Sequence, residues 1–75
     1  MATVTVPAYA VKPGQTVMAH GIRWIVRETF FQRDAEQPRR VMVCDAHPED
    51  VEQAGAFATG LHLGMLNDEP TALVV

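Results

Sequence analysis

Seventy-five residues with 48% apolar content and a formal net charge of −3 describe one small globular domain, not a disordered chain. Cys44 is the only cysteine and serine is absent, which excludes an internal disulfide, a zinc site built on two or four cysteines and every serine nucleophile. The charge is divided: residues 1–44 hold all six basic groups (Lys12, Arg23, Arg27, Arg33, Arg39, Arg40) and three acids, a formal +3, whereas residues 45–75 hold six acids and neither Lys nor Arg, a formal −6.

TVTV at 3–6 alternates and is β-branched, so it reads as a short strand that Pro7 ends or marks as an edge. Lys12-Pro13-Gly14-Gln15 is a turn, with φ preset at proline and positive φ open to glycine. In TVMAHGIRWIVRETFF two β-like runs flank His20-Gly21, an X-Gly hairpin signal. Along the second run Ile22, Trp24, Val26 and Phe30 share one face, and Arg23, Ile25, Arg27 and Thr29 share the other. Trp24, alternating with Ile22 and Val26, is expected in the core. QRDAEQP at 32–38 is polar and closes on proline, a loop. RRVMVCD is the next strand, antiparallel to the last, with Val41 and Val43 on one side and Arg40, Met42 and Cys44 on the other.

CDAHPED, residues 44–50, packs a cysteine, a histidine and three acids into seven positions. Pro48 pushes His47 out of helical conformation and itself suits the first helical position. Glu49, Asp50 and Glu52 then complement the positive end of the helix dipole, and Asp45 or His47 supplies the cap. Val51, Ala54 and Ala58 recur at helical spacing, with Phe57 beside them, and Gly60 stops the helix. LHLGML and TALVV, around the turn-like NDEP, read as a final hairpin of 61–66 with 71–75. A continuation of the helix through Leu66 is opposed by Gly60 and Gly64.

Cys44-x-x-His47 has the spacing of a metal pair, with Asp45, Asp50, His20 and His62 as further donors, but nothing in the sequence fixes a third ligand. A Cys/His nucleophile would need a pocket and an oxyanion hole beside the core of a very short chain. No glycine loop has phosphate-binding spacing. The sequence therefore predicts no catalytic residue, no metal and no cofactor.

The second-strand face mixes arginine with apolar groups. Arg23, Ile25, Arg27, Arg40 and Met42 are the candidate partner-binding residues, since arginine and methionine are enriched at interfaces. The competing account covers Ile25 and Met42 with Val51 and Phe57 of the helix, and pairs the helix acids with the arginines at the rim. Arg23, Arg27 and Arg40 also define the alternative, a nucleic-acid-binding surface, although the pI of 5.4 does not favour it. A marginal core, apolar groups on two sheet faces and the divided charge together predict a homodimer.

VKPGQTVMAHGIRWIVRETFF followed by RRVMVC resembles the core of small SH3-like barrels: turn, short strand, tight hairpin, long strand, loop, strand. The helix and the last hairpin depart from the simplest five-strand version. The resemblance implies a domain that binds peptides, nucleic acids or copies of itself. The expected fold is mostly β (α+β): a small SH3-like barrel or strongly bent antiparallel sheet of five to six strands, with one short helix near residues 48–59. The expected function is a non-enzymatic binding or accessory module acting on an unidentified protein partner. A metal-assisted enzyme is the third class. No segment reaches the length of a membrane span, and the first residues lack a signal-peptide pattern, so a cytoplasmic setting is expected. The preponderance of arginine over lysine, with abundant alanine, suggests a bacterial or phage source.

Overall fold

The computed structural model describes residues 2–33 and 36–75. Six strands, β1 (Thr3–Pro7), β2 (Thr16–Ala19), β3 (Ile22–Arg33), β4 (Pro38–Ala46), β5 (Leu61–Leu66) and β6 (Pro70–Val74), form one antiparallel sheet in the order β1-β6-β2-β3-β4-β5. The fold is mostly β, as expected, and the sheet is not closed into a barrel. The one α-helix among the described residues, α1 (Val51–Ala54), lies between two 3-10 turns, Pro48–Asp50 and Gly55–Phe57.

The sheet has to bend. β5 and β6 are separated in the sheet by β2, β3 and β4, which in a flat sheet would hold them ~19 Å apart. The chain from Leu66 to Pro70 can span only about 14 Å. Curvature brings the two strand ends together without pairing the strands. The expected hairpin of 61–66 with 71–75 is thus corrected: both strands form, but β6 pairs with β1 and β2, and β5 with β4. The amides of Ala8 and Tyr9 tie down the corner by donating to the carbonyls of Glu69 (2.9 Å) and Asn67 (3.0 Å).

The β2–β3 turn is the expected one. His20 (φ 55°) and Gly21 (φ 73°) both lie in the left-handed region that a type I′ hairpin turn demands. β3 and β4 run further than the sequence suggests, to Arg33 and from Pro38, so part of the expected 32–38 loop is an extended two-stranded arm. Asp34 and Ala35 of that loop lie outside the described residues.

One irregularity organises β3 and β4. Near the arm's tip Phe31 pairs with Arg40 and Thr29 with Met42. Continued unchanged, that register would set Arg27 against Cys44 and Ile25 against Ala46. Instead Val26 pairs with Cys44 and Trp24 with Ala46, because the register shifts between Val26 and Glu28 and leaves Arg27 as an extra residue, a β-bulge. A one-residue shift exchanges the two faces. Trp24 and Val26 therefore meet Met42, Cys44 and Ala46 in one core, with Val17, Leu63, Leu73, Ala8 and Val11. Trp24 is 2% exposed, and its Nε1–H donates to the Ala19 carbonyl at 3.0 Å.

This core corrects the expected partner face. Met42 is fully buried, so it cannot lie on an exposed surface with Arg23, Ile25 and Arg27. Replacing it should read as a core lesion: Met42→Ala is expected to cost about 2–5 kcal/mol and Met42→Leu less than about 1.5 kcal/mol in chemical denaturation. A Met42→Ala protein of unchanged stability would contradict this placement.

Candidate functional site

The polar residues of CDAHPED are engaged within the fold. Cys44 is fully buried, and burial pushes its thiol up to about 11, with a smaller contribution from the neighbouring Asp45 charge. Such a thiol is mostly protonated near neutrality, the opposite of an activated nucleophile. Asp45 Oδ1 accepts from the Arg27 guanidinium at 3.2 Å and from the Gly60 amide at 3.0 Å, joining the bulge to the start of β5. Ala46 is buried, and its amide donates to the Ala58 carbonyl at 2.8 Å. His47 is extended (φ −56°, ψ 141°), and its Nδ1 accepts from the Glu49 amide at 3.2 Å. It is the cap that Pro48 requires.

Glu49 and Asp50 hold Arg23. Asp50 Oδ2 accepts from the Arg23 backbone amide (2.9 Å) and Nε (3.0 Å), and Oδ1 accepts from a terminal guanidinium nitrogen (3.1 Å). Glu49 accepts from that same nitrogen at 3.1 Å. The fork geometry matches a planar guanidinium to a carboxylate. These bonds raise the Arg23 pKa further and hold the Asp50 carboxyl down at about 2, against an ordinary 3.8, chiefly through the Arg23 side chain.

The expected interface residues are thus dispersed. Arg23 is clamped by Asp50 and Glu49, Arg27 is paired with Asp45, and Ile25 lies between them, partly buried. Arg40, on the arm, donates from Nε to Asn67 Oδ1 at 3.3 Å. Helix acids do pair with an arginine at the rim, as the competing account held. However, Val51 (45%) and Phe57 (65%) are exposed and belong neither to the core that holds Met42 nor to the partly buried residues packed on it. The cause is Gly55: at φ 59° it ends α1 after one turn, so Phe57 leaves the helical stripe that Ala54 completes. Among the described residues no three His, Cys, Asp or Glu side chains converge as a metal cluster. No helix among them is long and apolar enough to cross a membrane.

The structure places a different candidate site where the curved sheet opens. A groove of about 350 Å³ is bounded by His20, Ile22 and Trp24 of the first hairpin, by Gln53, Ala54 and Phe57, and by Leu61, His62 and Leu63 of β5. Its lining is chiefly apolar, with two imidazoles and one amide as polar groups. His62 Nδ1 lies 3.0 Å from the Gly60 carbonyl, an acceptor, so this nitrogen carries the proton and Nε2 is left for other contacts. In the sequence His20 stands out as half of the hairpin turn and, with His62, as a possible metal donor; neither is marked as a groove residue. Gly55, four residues after Val51, was the available sign that Phe57 would be released from the helix face.

Compared with models of known protein families and with curated proteins, the sequence matches none.

The Arg23–Asp50 clamp makes a pH prediction. A carboxyl depressed by folding contributes stability that is fully present above its unfolded pKa, near 4, and is lost as pH falls toward 2. Thermal melts between pH 5 and pH 2 should show wild-type stability declining through that window. Asp50→Asn should start lower at pH 5 and decline less steeply. Parallel acid limbs for the two proteins would disprove the clamp's contribution.

Proposed function

We propose that this protein is a small, SH3-like, non-enzymatic binding module of the cytoplasm, whose groove receives apolar side chains of a protein partner. The observation that carries this reading is the exposure of Phe57 (65%) on the wall of a chiefly apolar groove that also reaches Trp24. Large exposed aromatics beside a concave apolar surface are the usual anchors of protein recognition. The strand order supports the SH3-like part. β2 to β5 form a consecutive meander, and β6 returns to pair with β2, an order that a curved, open sheet of this kind shares.

The arm favours a second reading, nucleic-acid binding, with a different residue set from the one the sequence suggested. Arg23 and Arg27 are paired with acids. Phe31, Arg33 and Arg40 instead share one face of the two-stranded arm, because Phe31 and Arg40 are cross-strand partners and Arg33 lies two residues on. Phe31 is 48% exposed. An aromatic platform between arginines stacks bases and tracks phosphates.

Selection from a peptide display library, followed by titration monitored through Trp24 fluorescence, tests the first reading. Bound apolar or aromatic peptides should perturb Trp24, and Phe57→Asp should weaken them by about tenfold or more, the loss of one anchoring contact. Peptides that bind with neither a Trp24 response nor sensitivity at Phe57 would remove the groove from the proposal. For the second reading, mixed single-stranded DNA and RNA should bind at low salt, weaken steeply as salt rises, and lose affinity in Phe31→Ala. No binding at low salt would eliminate it.

A further inference from the structure

The outer edge of β5 is an unguarded strand edge, and its hydrogen-bonding groups can be assigned. The Asn67 amide donates to the Pro38 carbonyl at 3.3 Å, so Asn67 and Pro38 face each other as a hydrogen-bonded pair at the end of the β4–β5 ladder. In an antiparallel ladder such pairs alternate with non-bonded ones. Arg40↔Met65, Met42↔Leu63 and Cys44↔Leu61 are therefore the bonded pairs, and the amides and carbonyls of His62, Gly64 and Leu66 point away from β4; of these, the Leu66 carbonyl already accepts from the Glu69 amide at 3.1 Å. No described strand pairs with β5 on that side. His62 and Gly64 are exposed, Leu66 is 38% exposed, and nothing lies within 4 Å of the place where a Gly64 side chain would begin.

Exposed edges normally carry a lysine, a proline, an inward charge or a bulge that blocks further pairing. β1, at the opposite edge, carries Pro7. LHLGML carries none of these: no charge, no proline, and an unbroken register with β4.

We infer that β5 pairs antiparallel with β5 of a second copy, about a two-fold axis through Gly64. The strand is self-complementary in that register. His62 falls opposite Leu66 of the second copy, Gly64 opposite Gly64, and Leu66 opposite His62, so the outward groups meet in bonded pairs, with each Leu66 carbonyl shared between its own Glu69 amide and the His62 amide of the second copy. No charge opposes a like charge, because the strand has none. The glycine at the axis removes side-chain bulk where the two backbones meet. The apolar ends also match. Leu61, His62 and Leu63, which project to alternate faces, all line the groove, so the groove abuts this edge. Leu66 of the second copy, opposite His62, brings its exposed side chain to the mouth of that groove near Phe57. The two-fold repeats the contact at the other end, the self-complementarity that a closed C2 dimer requires.

Sedimentation velocity and light scattering from micromolar to millimolar concentration test the pairing, with three variants. Wild type should reach twice the 8.2 kDa chain mass. Gly64→Pro removes an outward amide and no β4–β5 bond, so it should stay folded by circular dichroism and shift the dimer dissociation constant by about tenfold or more. His62→Lys, at an exposed position, places a charge on the edge and should do the same. It decides the matter if the proline variant fails to fold. Val4→Lys on the β1 edge, at a 45% exposed position, should leave the dimer intact. A wild-type monomer at every concentration would overturn the inference. So would a dimer that survives His62→Lys, or one that dissociates only in Val4→Lys.

Discussion

The core depends on one extra residue. Arg27 is the bulge at which β3 changes face, and without it Trp24 and Val26 would turn outward while Ile25 and Arg27 turned toward Cys44 and Met42. Burying an arginine there would cost several kcal/mol, and exposing tryptophan would forfeit the largest apolar side chain of the core. The bulge reconciles two strands whose apolar positions are out of phase. It also lets β3 do two things along its length: cover the core as far as Val26, then run out as one strand of the exposed arm. A bulge increases local twist, and a strongly twisted sheet is what the short β5–β6 connection demands.

The same site explains where the charges go. A bulge residue is released from regular pairing, and Arg27 uses that freedom to reach Asp45, which also holds the Gly60 amide. Two residues into β3, Arg23 holds Asp50 and Glu49. Basic groups of the first half of the sequence thus bind acids of the second half within one molecule, and they fasten the 48–60 segment across the ends of β3 and β4. The divided charge therefore serves intramolecular closure at these three acids, and it does not by itself call for a second copy. These pairs are solvent-accessible in different degrees: the Asp50 side chain is 15% exposed and that of Glu49 73%. The Asp50 clamp, with three bonds and partial burial, is the one expected to matter for stability; the Glu49 contact is a surface pair of small worth.

How much of this was legible follows from the range of the signals. Features written in neighbouring residues were readable: the His20-Gly21 turn, the cap at His47 before Pro48, the strand at TVTV ending on Pro7, and the inward alternation of Ile22, Trp24 and Val26. Features set by register were not. The faces of β4, and of β3 as far as Val26, were read correctly as alternating sets, but beyond the bulge at Arg27 the β3 faces exchange: Phe30, expected beside Trp24 and Val26, pairs with Val41 on the other face, and Thr29 pairs with Met42 on the core side. No residue announces that bulge. The expected face of Arg23, Ile25, Arg27, Arg40 and Met42 joined the two sets across that change of register, and Met42 lies in the core instead. The β5–β6 hairpin failed for a related reason: a short turn-like link is compatible with pairing, and only the competing claim of β2 and β1 on β6 decides against it.

The groove belongs to the same class of long-range consequences. It exists because α1 is one turn long, because β5 and β6 diverge from their corner, and because the first hairpin carries Ile22 and Trp24 to the facing wall. None of these is a motif. Together they leave a concave apolar surface and an unguarded strand edge side by side at the open part of the sheet. A sheet that curves without closing must leave an edge somewhere. In this protein the edge that carries proline is β1, and the edge that carries neither charge nor proline is the one beside the groove. A protein selected to remain a solitary monomer would be expected to guard both edges; the asymmetry between them is the ground on which the proposed pairing of two copies is placed at β5 and not at β1.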